Sequence, residues 1–535
     1  MASAAGPALT PSVHEKMSRN PGMIGMAVFG AALLVGIIYT AVSIASDIGT
    51  VHNTSVLPFV LLGVALLTAL GFEFVNGFHD TANAVATVIY THSMEPHIAV
   101  VYSGALNFLG VLVSSGAVAY AIITLLPVEL ILQVGSGAGF AMVFALLIAA
   151  ILWNLGTWYF GLPASSSHTM IGSIIGVGIA NQLMSPAGSA TSGVDWAQAQ
   201  KVGLQLLLSP IIGFGLAALL LLASKLLIKD KRLYEAPKGT EPPPLPIRAL
   251  LWLTCGGVSF FHGSNDGQKG MGLIMLILVG TVPTAYALNH AVTPAQTQDF
   301  IAVSNQTVQV VNKYVKESAL VGDAREDLES YVRTKKFNDN TMLALRTYVN
   351  DIRNEVAGYR LLKNVPENRQ GNVRNEMYLV SETIRLVEKG SHAQFSDDDN
   401  KVLTNYKKHI DLATKFIPTW VKVAVAIALG LGTMIGWKRI VITVGEKIGK
   451  DHLTYGQGAA AEISAMAMIW ASDSFGLPVS TTHVLSSGVA GTMAANRSGV
   501  QLATVKNLLM AWVLTLPVAM MLSGFLFWVF RGIMR

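Results

Sequence analysis

Outside one segment the chain is almost free of charge. Residues 290–417 hold 18 Lys and Arg and 17 Asp and Glu, 35 of the 69 charged residues in a 535-residue sequence. The other 407 residues carry 34, about 8%, against the roughly 25% of an ordinary soluble domain. A soluble surface cannot be built from so few charges. Apolar runs near the spanning length of roughly 20 residues recur instead. They fall near 23–46, 55–91, 98–126, 138–160, 162–183, 202–228, 249–288, 418–437, 456–475, 477–495 and 505–530. The chain reads as an all-α polytopic membrane protein with a soluble insertion.

The runs at 55–91 and 249–288 are too long for one straight span, and both carry a polar, glycine-bearing stretch where a break is expected. Those at 162–183 and 477–495 open on Gly-Leu-Pro and a Ser/Thr cluster, as hairpins or broken helices would. About ten to twelve membrane segments are expected. The single cysteine, Cys255, excludes an intramolecular disulfide and a multi-cysteine zinc site. The net charge of +5 is explained by basic loops beside the spans, so no nucleic-acid partner is expected. Residues 1–22 lack the short apolar core of a cleaved leader, and 23–46 reads as a retained helix. The tail 1–22, the basic Pro-rich linker 229–248 and the Lys438–Lys450 loop are placed on the cytoplasmic side. The insertion 290–417, amphipathic and helical in pattern, then falls on the opposite, periplasmic face.

Internal similarity divides the rest. Asn76-Gly-Phe-His-Asp80-Thr-Ala-Asn83 aligns with His262-Gly-Ser-Asn-Asp266-Gly-Gln-Lys269, and Gly161-Leu-Pro-Ala-Ser-Ser-Ser-His168 with Gly476-Leu-Pro-Val-Ser-Thr-Thr-His483. Asp80 and His168 are 88 apart, Asp266 and His483 are 217 apart, and the difference of 129 is nearly the length of the insertion. Residues 23–228 therefore form a first repeat. The second comprises a broken span at 249–289 and the remainder at 418–535. Duplicated halves with interrupted spans characterise secondary transporters, whose sites lie at the bilayer midplane between the repeats. The loop assignment permits inverted repeats.

Three charges in the apolar runs, Asp80, Asp266 and Lys269, occupy the repeated motifs. A charge at the centre of a span costs at least a few kcal/mol and does not face lipid. Two readings stay open: a packing network with Asp266 and Lys269 as an i,i+3 pair, or a polar cavity. In the cavity Asp80 and Asp266 bind cations or protons, while Asn76, Asn83, Gln268 and Lys269 face an anion. The hydroxyls of Ser165, Ser166, Ser167, Ser480, Thr481 and Thr482 can cap a helix or donate to an oxyanion at its N-terminus. His79 can relay a proton to Asp80. His262 and Asn265 belong to the same coupling set, and His168 and His483 are either structural or functional. Asp80 and Asp266 are the metal candidates if the substrate arrives bound to a metal, but no metalloenzyme motif supports a hydrolase.

These motifs, with Asn154-Leu-Gly-Thr-Trp-Tyr-Phe-Gly161 and Gly430–Lys450, resemble the PiT inorganic phosphate transporter family, and most closely its bacterial low-affinity Pit branch. The resemblance covers most of the membrane part and not 290–417. It implies an inner-membrane symporter of inorganic phosphate, often a homodimer, with inverted repeats and no covalent cofactor. It further implies proton coupling and uptake as neutral complexes with divalent cations such as Mg2+ or Zn2+. Sodium-coupled relatives carry asparagines where this chain has His79 and Lys269, and these departures favour a proton over Na+. The alternatives are a sulfate or other tetrahedral-oxyanion symporter of the same fold, or sodium-coupled phosphate transport.

Overall fold

The computed structural model describes residues 11–18, 22–48, 56–80, 82–132, 135–185, 193–237, 239, 241–316, 319, 322–390 and 395–534. Of the N-terminal tail, 1–10 and 19–21 lie outside these. Helices of nine residues or more are numbered in chain order. The first half contributes α1 (Met23–Ile48), α2 (Leu57–Asp80), α3 (Ala82–Tyr90), α4 (Pro96–Val113), α5 (Gly137–Tyr159), α6 (Ser166–Leu183) and α7 (Trp196–Leu227). Then come α8 (Leu245–Thr281) and the insertion helices α9 (Pro294–Asn312), α10 (Ala324–Thr334), α11 (Asn340–Tyr359), α12 (Glu367–Lys389) and α13 (Asp397–Thr414). The chain closes with α14 (Thr419–Thr433), α15 (Tyr455–Ser474), α16 (Thr481–Ala495) and α17 (Leu502–Ile533).

Among the described residues, six helical stretches are individually long and apolar enough to cross a membrane: Gly25–Ile48, Leu57–Tyr90, Pro96–Val113, Gly137–Tyr159, Trp196–Leu227 and Leu502–Ile533. A seventh is possible if α13 and α14, bent by 76° where the insertion rejoins the bundle, count as one span. The outer helices α1, α7 and α17 expose Leu34, Ile38, Leu207, Ile211, Leu219, Val513, Met521 and Phe525. Apolar surface on this scale is unsuited to water and fits a multi-pass membrane protein. The polar motifs sit on helices inside that shell.

Packing repeats between the halves. α2 lies on α14 as α8 lies on α4; α6 lies on α17 as α16 lies on α7. α2 also contacts α5 as α8 contacts α15, and α5 contacts α6 as α15 contacts α16. Each half thus hands its motif helix to a helix of the other. Glycines at matching places allow the close approach. A Cβ on Gly77 would strike the Leu429 carbonyl, and one on Gly263 the Asn107 carbonyl; Gly176 and Gly491 do the same against Met520 and Phe214. Small residues at helix crossings serve this purpose in membranes, where water supplies no drive to associate.

The structure corrects one expectation. The break expected at the polar, glycine-bearing stretch of 249–288 is not there: α8 runs unbroken for 37 residues through Gly263, Gly267 and Gly270 and ends only at Thr281. Those glycines press on Asn107, Val111 and Glu73 rather than bending the chain. At ~1.5 Å per residue α8 is ~55 Å long, so its ends pass outside the apolar layer. In the first half Thr81, between α2 and α3, lies outside the described residues. The insertion is helical as expected and has its own core, including Leu328, Leu345, Ile352, Met377, Val380, Leu403 and Tyr406.

Candidate functional site

The two Gly-Leu-Pro segments are built alike, for readable reasons. Gly161 and Gly476 take φ of +66° and +63°, where a side chain is strained, and each closes a helix. Leu162 N–H reaches Thr157 O and Gly161 N–H reaches Trp158 O; Leu477 and Gly476 repeat this on Ser472 and Asp473. This is the Schellman ending, which satisfies carbonyls left free at a helix terminus. Pro then keeps the chain extended until Ser165 and Ser480 start the next helices, accepting from the His168 and His483 N–H groups. Ser165 and Ser480 are therefore caps, the plainer of the two roles open to them.

The N-termini of α6 and α16 meet. Ser167 Oγ donates to the Val479 carbonyl across the junction at 2.8 Å. The His168 and His483 rings lie 4.5 Å apart, and His483 stacks on Trp512 at 4.2 Å. His168 thus packs on His483, and His483 on Trp512.

Asp80 ends α2 beneath this junction, 3% exposed. Ser166 Oγ donates to its Oδ2 at 2.6 Å and Thr482 Oγ1 to its Oδ1 at 2.7 Å. Asn83 Nδ2 reaches Thr482 Oγ1 at 3.0 Å. His79 Nδ1 lies 3.0 Å from Asp80 Oδ1, with its Nε2 held 3.0 Å from Thr157 Oγ1. Asp266 approaches from α8: its Oδ2 is 2.6 Å from Lys269 Nζ and 3.4 Å from Ser166 Oγ. His262 Nε2 stands 3.3 Å from the same oxygen without hydrogen-bond geometry, and its Nδ1 is 2.8 Å from Asn107 Oδ1. One hydroxyl, Ser166, thus touches both aspartates. A carboxylate oxygen from each aspartate and a nitrogen of His262 lie within 4.8 Å of one another, close enough to hold a cation.

Four other expected residues fall elsewhere or are left open. Asn76 Nδ2 donates to Glu73 Oε2 at 3.3 Å, and its Oδ1 has no partner among the described residues. Asn265 ties α8 to the second extended segment through Leu477 O and Val479 N–H. Gln268 bonds Asp473 Oδ1 and accepts from Val118 N–H, in a separate cluster that Ser264 joins. Thr481 Oγ1 has no partner among the described residues, nor have Asn83 Oδ1 and Asp266 Oδ1.

Sequence reasoning missed several members. Glu73 is buried and accepts from Gly270 N–H at 2.6 Å; Glu462 is buried and takes the hydroxyl of Thr254. Glu73 carried a readable signal, since it lies seven residues before Asp80 on the same helical face. Thr157 and Asn107, which orient the two histidines, carried none.

Helices from both halves, with polar groups buried where they meet, define a membrane transporter rather than an enzyme. Residues 76–523 match the phosphate transporter family, and the chain belongs to it. It is 44% identical over 490 residues to the low-affinity inorganic phosphate transporter PitA of Escherichia coli K12, covering 88% of this chain and 96% of that one. A low-affinity inorganic phosphate transporter of Buchnera aphidicola (subsp. Acyrthosiphon pisum) is 40% identical over 484 residues, with the same coverages. A solved structure described as the sodium-dependent phosphate transporter aligns with TM-score 0.49 and 18% identity, covering 89% of this chain and all of that one.

Proposed function

We propose that the chain imports inorganic phosphate across the bacterial inner membrane by proton symport and alternating access. The carrying observation is the Ser166 hydroxyl that bridges Asp80 and Asp266, one aspartate from each half. Phosphate would lie between the N-termini of α6 and α16, taking hydrogen bonds from Ser166, Ser167, Thr481, Thr482, Asn83 and Lys269. Two helix N-termini favour an anion. Asp80 and Asp266 would carry the coupling proton, with His79 as relay. The residues of this network are nearly all buried, so substrate must reach them by a rearrangement. The duplicated packing supplies two equivalent halves that can rock about it. This reading places the insertion in the periplasm, makes the repeats inverted and expects a homodimer.

The carboxylates favour phosphate over sulfate. Dihydrogen phosphate has O–H groups to donate to Asp80 and Asp266, whereas sulfate at neutral pH has none and would meet only repulsion. The substrate would travel as its complex with Mg2+ or another divalent cation. The Asp80, His262 and Asp266 atoms can receive that cation, provided Lys269 yields its hold on Asp266.

The test is radiolabelled phosphate uptake into proteoliposomes under an imposed pH gradient, with and without Mg2+ and with sulfate as competitor. Asp80→Asn and Asp266→Asn should each abolish gradient-driven uptake, and sulfate should not compete. Gradient-driven uptake retained by both variants would refute the mechanism.

A further inference from the structure

A second site lies where the insertion meets the bundle. A cavity of about 140 Å3 opens between α12 and α13 on one side and α8 and the short helix Ala117–Ile123 on the other. That volume accommodates a hydrated tetrahedral oxyanion. Arg374, Arg385, Lys407 and Lys415 line it, against two carboxylates, Glu382 and Asp411.

Three of these cations are already neutralised. Arg385 pairs with Glu382 and, at 2.7 Å, with Asp195; Lys407 pairs with Glu388 at 3.0 Å, and Lys415 with Asp411 at 2.8 Å. Arg374 differs. Its guanidinium stands 5.5 Å over the Tyr378 ring and bonds the Asn375 side chain, and no carboxylate pairs with it among the described residues. Burial pulls its pKa down, as expected of a cation without a counter-ion, while Tyr378 and Tyr120 act the other way. An arginine presents a planar fork of donors suited to an oxyanion. Ser381, about two helical turns further along α12, supplies a hydroxyl to the same cavity.

The position links the cavity to the central site. Its floor is formed by Met275, Leu276 and Val279 of α8, the helix that carries Asp266 and Lys269. At ~1.5 Å per residue, Met275 and Val279 lie ~9 and ~15 Å along the axis from Lys269. Tyr120 O–H donates to Phe416 O at 2.8 Å and fastens the insertion over this point.

We propose that this cavity is an oxyanion vestibule in which Arg374 holds inorganic phosphate before it passes along α8 to the central site. The proposal rests on the reading of the chain as a phosphate importer. It gives the insertion a role in transport, which is to raise the local concentration of substrate at the mouth. A vestibule speeds capture and leaves the chemistry of coupling untouched, so its loss must act on KM and spare the maximal rate.

The experiment compares wild type, Arg374→Gln and Arg374→Lys for phosphate uptake in vesicles of pure phosphatidylcholine and in vesicles containing phosphatidylglycerol, at matched amounts of folded protein. Arg374→Gln should raise the KM for phosphate about tenfold, the loss of one charge-assisted hydrogen bond, with a maximal rate within about twofold of wild type. Arg374→Lys should recover most of the KM, because it keeps the charge and the fold. Wild-type KM should rise with ionic strength more steeply than that of Arg374→Gln. An unchanged KM in Arg374→Gln overturns the proposal. So does a KM effect confined to phosphatidylglycerol vesicles, which would make a lipid headgroup the occupant. A wild type that transports no phosphate under any condition would instead remove the underlying reading.

Discussion

Breaking the Asp266–Lys269 pair separates a packing role from a transport role. Both side chains are fully buried, with Lys269 Nζ 2.6 Å from Asp266 Oδ2 and, among the described residues, Ser166 Oγ at 3.5 Å as its second partner. Two unit charges at that separation attract by about 6 kcal/mol at an effective dielectric constant of ~20, most of it offset by the cost of removing both from water. Losing one partner strands the other. Asp266→Asn, which preserves shape, and Lys269→Met should therefore each destabilise the protein by about 3–5 kcal/mol. The double variant leaves neither member of the pair stranded and should return to within about 1 kcal/mol of wild type, a coupling of at least ~5 kcal/mol. Equilibrium unfolding in mixed micelles measures all three, and uptake into proteoliposomes is read beside it. None of the three should transport phosphate, including the stable double variant. Single variants as stable as wild type would refute the electrostatic argument. A double variant that transported normally would show that the pair only packs.

The glycine contacts predict a sharp contrast. Gly263→Ala should cost about 3 kcal/mol and lower the yield of folded protein, because its Cβ collides with the Asn107 backbone, while Gly71→Ala, with open space around it, should be neutral or stabilise by about 0.5–1 kcal/mol. The insertion should loosen in acid. Burial raises the pKa of Asp195, but the charge and hydrogen bonds of Arg385 outweigh it, so the folded value lies below the ordinary one. The stability this contributes is complete above about pH 4 and is lost as pH falls through the folded value. Hydrogen exchange in Glu367–Lys389 should then be faster in Asp195→Asn than in wild type at pH 7, and the difference should shrink as the pH is lowered below the ordinary carboxylate value.

Much of the site was legible because its signals are local. The Asp80 and Asp266 motifs, their helical spacing and the Gly-Leu-Pro segments with their caps all depend on neighbours within a few residues. The i,i+3 geometry alone pairs Asp266 with Lys269. Reading 249–288 as interrupted failed for an instructive reason. A glycine reads as a helix break when seen in sequence, but inside a membrane bundle it is where another helix comes near.

The chain by itself determined that this is a membrane protein with paired motifs, a charge-rich helical insertion and three charges within its apolar runs, because sparse charge and repeated spacing are properties of the sequence. Tertiary structure alone decided that Ser166 and Thr482, 86 and 402 residues from Asp80, are the hydroxyls that hold it, and that Ser165 and Ser480 are caps. It alone placed Arg374 where the insertion meets the bundle, with no carboxylate paired to it among the described residues. A hydroxyl or a guanidinium has the same local preferences in every role. Its function is set by which group from a distant part of the chain is brought within hydrogen-bond range, and that is fixed by how helices pack.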